Sequence, residues 1–263
     1  MNALCKNNSQ QEKQNAFWEW MALKYPLPFE EKMLAVTSRV ISLVKSKGVE
    51  IRNASILDIG CGTGIYTLPL AREAAMVTGL DNSETMISRM KDVIASNSIK
   101  NVQEVKSSWK EADISALGFE KAFDITWISM SQAVQTQQDF EKMEKCAKKC
   151  CVYIGWGRKR KNALMEKVYR LHGLHYVPPP GAGAAYDILA GSGKNPSLDY
   201  FETSWDWLWT TEETLRAIVF YIEMQGGRPR LDLIKNLLAC HERDGQVSHT
   251  TYAEEGLMVW SAE

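Results

Sequence analysis

The chain has almost no net charge: 31 Lys and Arg face 32 Asp and Glu, leaving −1 over 263 residues. A surface without a dominant sign sets up no global field for nucleic acid or an anionic membrane. Long hydrophobic runs are missing too. No window approaches the ~18 apolar residues of a membrane-spanning helix. The first sixteen residues are polar, without the apolar stretch of a secretory leader. The expectation is a soluble, cytoplasmic protein. Six cysteines (Cys5, Cys61, Cys146, Cys150, Cys151 and Cys240) include no Cys-x-x-Cys pair and no regular framework, so reduced thiols are expected rather than a disulfide scaffold. His172 and His175 sit three apart, yet no cysteine or acid with ligand spacing completes a set around them, and no metal is expected. Internal repeats and low-complexity linkers are absent. What remains is 45% hydrophobic, enough for a sizeable core in one large α/β domain or one domain plus a lid.

The chain is organised around residues 56–64, Ile-Leu-Asp-Ile-Gly-Cys-Gly-Thr-Gly. Ile56, Leu57 and Ile59 read as a short buried parallel strand, and residues 65–75 as the helix returning over the sheet. Glycines at alternate positions let the backbone turn sharply and approach a ligand, with the N–H groups of the following helix start facing it. Two dinucleotide signatures are absent. The nicotinamide fingerprint needs glycine at 65, which is Ile65, and a phosphate loop needs a closing Gly-Lys-Ser/Thr. The next strand reads as Met76–Leu80, and Asp81 stands at its C-terminal end, 21 positions after Gly60, where an acid can accept both ribose hydroxyls of a nucleoside.

The D-x-G-x-G-x-G spacing at 58–64, with Asp81, resembles motif I and the following acid of the class I S-adenosylmethionine-dependent methyltransferases, small-molecule type. The resemblance covers about residues 55–156 well, the N-terminal helix loosely and the tail only in strand pattern. It implies a Rossmann-like, doubly wound, mostly parallel seven-stranded α/β sheet. A helical N-terminal lid segment (1–48) would precede the methyltransferase domain (49–263), with an insertion after strand five at about 157–195. It implies S-adenosyl-L-methionine as cofactor. Gly60, Cys61, Gly62 and Gly64 would shape the loop around the methionine moiety, Asp58 would support it, and Asp81 would hold the ribose. Cys61 reads as a small space-filler. Asn82 and Met86 fall where the family covers the adenosine, core packing being the alternative for Met86. The string Trp18-Glu19-x-x-Ala22-x-x-Tyr25 resembles a segment in which the tyrosine covers the methionine end, so Tyr25 becomes a lid contact and Trp18 a substrate-side wall. The alternative is an amphipathic helix anchored by Phe17, Trp18 and Met21.

Elsewhere the chain departs from the family pattern. After the strand at 102–105 an aspartate for the adenine amino group is replaced by Ser107-Ser108-Trp109, leaving Ser108 a polar contact and Trp109 a stacking face. The strand at 123–128 ends in Ser129-Met130-Ser131-Gln132 at the site rim, with no N/D-P-P-Y/F of the kind that holds a planar nitrogen in adenine and glutamine methyltransferases. A helix is expected over 140–149 and a fifth strand over 151–154. Residues 1–12 are expected to be disordered. Beyond Trp156, the cluster Arg158-Lys159-Arg160-Lys161 either holds a carboxylate, phosphate or RNA backbone or forms a solvated helix start. Trp156, His172 and His175 are candidate substrate contacts, a histidine being suited to general-base work. Trp205, Trp207 and Trp209 alternate on one face if extended, walling a pocket or joining the core. The expected activity is methyl transfer to a small or medium-sized acceptor. RNA or protein methylation, or S-adenosylmethionine binding without turnover, are the alternatives, and nucleic acid is not the expected partner.

Overall fold

The structure, a computed structural model, describes residues 2–262, with side chains from Glu12 onward. In chain order the elements are α1 (Asn2–Ala22), α2 (Glu31–Ser46), β1 (Ser55–Ile59), α3 (Thr67–Ala71), β2 (Met76–Asp81), α4 (Glu84–Ser96), β3 (Val102–Lys106), β4 (Phe123–Ser129), α5 (Gln137–Cys146), β5 (Ala147–Lys161), α6 (Ala163–Leu171), α7 (Ala182–Gly191), β6 (Ser197–Thr210), α8 (Thr211–Met224), α9 (Leu231–Ala239), β7 (Glu242–Arg243) and β8 (Gln246–Ser261). Ile56, Leu57 and Ile59 are fully buried, as a central strand with both faces covered requires.

The sheet runs β3-β2-β1-β4-β5-β8-β6, and the two-residue β7 pairs antiparallel with β8. The pairings β1–β2, β1–β4, β2–β3 and β4–β5 are parallel. Strand order therefore reverses between β1 and β4, and a crevice opens at such a switch point beyond the C-terminal ends of the strands. The expected mostly parallel α/β sheet is what forms. No helix among the described residues is long and apolar enough to cross a membrane.

The chain forms two compact units. The first takes Met1–Gly155, Ala182–Asp199 and Gly256–Glu263; the second takes Trp156–Gly181 and Tyr200–Glu255. The first is built on the parallel strands, with Trp127, Phe140, Leu57 and Ile59 among its most buried side chains. The second has its own core, in which Leu164, Val168, Ile218, Ile222, Ile234 and Leu238 interlock from α6, α8 and α9.

Several boundaries differ from the sequence reading. α1 begins at Asn2, so residues expected to be disordered are helical from there, and Met1 lies outside the described residues. α5 starts three residues early, where Thr136 and Asp139 form a reciprocal capping box, and stops at Cys146. Lys148 and Lys149 belong to β5, which continues through the whole Arg158–Lys161 cluster. The cluster is strand, not a helix start.

Candidate functional site

The glycine loop leaves β1 with Gly60 at φ 72°, a conformation an L side chain rarely adopts. A Cβ there would also meet Ser131 Oγ at 2.1 Å, so Gly60 alone admits the rim segment that follows β4. At the end of β2, Asp81 accepts the Gly62 N–H through Oδ2 (2.9 Å) and the Ser83 N–H through Oδ1 (2.8 Å). Each oxygen keeps a lone pair for a further donor. Burial pushes the Asp81 carboxyl up, and the backbone hydrogen bonds oppose that shift. Asp58, 2% exposed, accepts the Thr67 hydroxyl (2.6 Å), and burial raises its pKa to about 7. Ser83 caps α4 by accepting the Met86 N–H, which turns Met86 toward the loop.

These groups border a cavity of about 500 Å3. Its lining contains Trp18, Tyr25, Asp58, Gly60, Cys61, Gly62, Asp81, Asn82, Met86, Ser108, Trp109 and Ser129. Twelve side chains or loop positions singled out in the sequence thus meet in one place. Gly64 is outside the lining and packs toward Met90 and Leu68. Cys61 is a buried filler between the loop and Gly79, its thiol pushed well up by burial. Trp109 is 2% exposed, with the Lys142 ammonium 4.8 Å above its ring, so it presents little face to the cavity. Ser129 Oγ is buried without a partner at the cavity wall.

The sequence suggests an N-terminal lid with Trp18 and Tyr25 in it, but not the contacts that hold α1 in place. Gln14, Asn15 and Trp18 line it from α1, and Trp18 packs edge-on against Tyr25 at 6.2 Å. Glu19, one turn on, accepts the free N–H groups of Glu84 (2.9 Å) and Thr85 (3.2 Å) and the Thr85 hydroxyl (2.5 Å). A carboxylate on the first turn of α4 satisfies orphan amides and meets the positive end of the helix. Burial works against the charge of Glu19, but these hydrogen bonds prevail and hold its pKa below the ordinary value. Arg89 donates to the carbonyls of Ala22 and Tyr25, Thr63 to that of Pro26 (2.8 Å), and Gln14 to Gln132 on the opposite rim. The signal was present in Trp18-Glu19, but the partner of Glu19 lies 65 residues away. Met130, at φ 51°, and Ser131 carry the rim past the loop.

Trp156, His172 and His175 are not in this lining; they belong to the second unit. His172 uses both ring nitrogens within that unit, donating to the Val168 carbonyl (2.7 Å) and accepting the Arg230 N–H (3.0 Å). His175 is exposed. Among the described residues no group of His, Cys, Asp and Glu is placed to hold a metal. The cavity fits a nucleoside cofactor: a half-buried acceptor pair at Asp81, an unmet hydroxyl at Ser129 and a loop whose first glycine no other residue replaces.

Residues 56–151 match the family described as "Methyltransferase domain". The 23S rRNA (uracil(1939)-C(5))-methyltransferase of Tolumonas auensis is 33% identical over 82 residues, 31% of this chain. The match spans only 18% of that protein's length. The same enzyme of Methylococcus capsulatus is 34% identical over 86 residues, 19% of its length. Among solved structures, magnesium protoporphyrin IX methyltransferase from Synechocystis, with bound SAH, superposes with a TM-score of 0.51 at 15% identity, covering 72% of this chain and 87% of that one. The YcgJ protein of Bacillus subtilis superposes with a TM-score of 0.50 at 13% identity, over 83% and 96% of the two chains. At these identities the superpositions describe the fold.

Proposed function

We propose, from the premise that residues 56–151 form a class I S-adenosylmethionine-dependent methyltransferase domain, that the protein methylates a small or medium-sized acceptor. The observation that carries this reading is the roofed cavity. About 500 Å3 is the size of a small-molecule site, and α1 lies over it, tied down by Glu19, Arg89 and Gln14. S-adenosylmethionine supplies a methyl group already activated on a sulfonium, so the protein's work is positioning and exclusion of water. Asp81 would accept the ribose hydroxyls on its free lone pairs. Gly60, Cys61 and Gly62 would cradle the methionine end, with Asp58 supporting the loop through Thr67. Asn82 and Met86 would cover the adenosine, Ser108 and Trp109 would border the purine, and Ser129 would donate to the ligand. Trp18 and Tyr25 would close the acceptor side. The N-terminal segment to about residue 48 acts in this reading as the lid.

RNA methylation is the second reading, favoured by the names of the partial relatives. Methyl-labelled S-adenosylmethionine given with a cell extract, split into small-molecule, RNA and protein fractions, separates the two. Label in the small-molecule fraction is expected and persists after nuclease treatment. Label confined to RNA, and lost with nuclease, replaces this reading with the second. No label in any fraction, with S-adenosylhomocysteine still bound, leaves a cofactor-binding protein without turnover and rejects both.

A further inference from the structure

Within the second unit, one arginine of the basic cluster is held ready for a ligand. The guanidinium carbon of Arg160 lies 4.6 Å from the ring centre of Trp156 and 4.7 Å from that of Tyr176. Two aromatic faces fix its plane, so the rotamer freedom of a long side chain is already lost before anything binds. Trp156 is itself fixed, because the chain passes so close at Gly181 that a Cβ would meet the Trp156 carbonyl at 2.2 Å. The neighbouring cations are committed elsewhere. Glu254 accepts from Arg158 at 2.8 and 2.9 Å, and Lys159 stands 3.9 Å from the same carboxylate.

Arg160 has no such partner. Among the described residues no carboxylate pairs with it, and its Nε is buried without an acceptor. Trp205 Nε1, on an indole 5.9 Å from Trp156, is likewise buried and unmet. Tyr176 Oη faces Arg160 and Thr251 but makes a well-formed hydrogen bond with neither. Arg160 and Tyr176 both border a hollow beside them, and a guanidinium N–H without an acceptor there is short of an oxyanion. The hollow measures about 20 Å3 and is also bordered by Trp207 and His249. It has room for one oxygen-sized group, with indole faces at its side. Burial lowers the His249 pKa to about 4, so that ring is neutral near pH 7 and Arg160 is the single positive charge. The fork of a guanidinium matches a carboxylate, and the indoles of Trp207 and Trp209 at the hollow suit a flat apolar body that a phosphate lacks.

We infer that this hollow is the anchor of a recognition site for a small organic carboxylate bearing a flat apolar body, with one carboxylate oxygen entering it toward Arg160 and the body lying outside it against Trp207 and Trp209. The site goes beyond methyl transfer and stands whether or not that activity is found. The test titrates the full chain with carboxyl-labelled benzoate, followed by carbon NMR and by tryptophan fluorescence, with benzamide and inorganic phosphate as comparison probes. Saturable benzoate binding is expected, weakened about tenfold or more in Arg160→Met and about threefold in Tyr176→Phe. Benzamide should bind far more weakly, and phosphate should not compete. Asp81→Ala should leave benzoate binding unchanged, and Arg160→Met should keep the wild-type circular dichroism and melting transition, which shows that it folds and keeps this result separate from the fate of the methyl-transfer reading. Failure of benzoate to bind in the millimolar range, equal binding of benzamide, displacement by phosphate, or unchanged affinity in Tyr176→Phe would each overturn the inference.

Discussion

The glycine-loop cavity and the basic strand of the second unit handle charge in opposite ways. In the first, Asp58 and Asp81 are kept by a hydroxyl and by backbone N–H groups, and no cation is drawn in to neutralise them. In the second, Glu254 is gripped by a guanidinium that itself stacks on Tyr200 at 4.1 Å, and a further guanidinium stands between two rings with no carboxylate at all. Backbone donors leave carboxylate lone pairs free for the hydroxyls of an incoming ligand. A spare arginine leaves donors free for an anion. The difference predicts that the units select ligands of opposite hydrogen-bonding polarity.

The comparison breaks most severely at the glycine loop. Gly60→Ala places a Cβ against Ser131 at a backbone φ of 72°. A left-handed conformation alone costs about 1–2 kcal/mol, and with the clash the loss of S-adenosylhomocysteine affinity should reach about 3 kcal/mol, roughly a hundredfold by calorimetric titration. Asp81→Ala comes next. Losing hydrogen bonds to a charged acceptor should weaken the same titration by about 2 kcal/mol, and an unaltered affinity removes Asp81 from the ribose role.

In the second unit, Arg158→Met strands a carboxylate whose side chain is only 5% exposed, although the arginine is 63% exposed and its share is screened. A lower melting temperature should result, because the buried carboxylate loses its partner. Pairing with Arg158 holds the Glu254 pKa at about 2, below its ordinary 4.5. A depressed pKa stabilises the fold above the ordinary value and loses that contribution as pH falls through about 2. The acid limb of the wild-type melting curve should therefore fall between about pH 4.5 and 2, and the variant should fall less steeply there, the remainder belonging to carboxylates such as Asp124, which is also held at about 2. A parallel decline in both proteins disproves the pairing.

Asp58 carries the opposite sign and the smallest effect. Its folded pKa, about 7 against an ordinary 3.8, means the folded chain holds that proton more tightly, so stability is intact below about pH 4 and declines as pH rises toward 7. Asp58→Asn should reduce the decline, the rest belonging to Glu255, which burial also raises to about 7, and should gain about 1 kcal/mol at pH 8, a few degrees in thermal melting. Equal slopes for the two proteins from pH 4 to 8 would show Asp58 ionised in the fold.

What could be read from the sequence was what is local. The loop and Asp81 are fixed by spacing over a few residues, and they sit at the ends of the strands that the sequence marked. The alternation of Trp205, Trp207 and Trp209 proved to be strand, with all three half-buried rather than core. What escaped depends on distant partners. Arg158–Lys161 looked solvated because Glu254, which makes the stretch tolerable as strand, lies 96 residues beyond Arg158. The roof over the cavity depends on a contact between Glu19 and Thr85 that spans 66 residues. His172 looked available, but both its nitrogens are used by backbone groups that sequence spacing does not reveal.

The unit boundaries fall at Gly155/Trp156, Gly181/Ala182, Asp199/Tyr200 and Glu255/Gly256, and all but the second lie inside β5, β6 or β8. A gene rearrangement that lifted out the second unit would have to cut three strands in mid-course and rejoin their stumps. The arginine hollow is therefore not a cassette that this lineage could acquire or shed by recombination. It can change only by substitution in place, inherited together with the glycine loop in every copy of the gene.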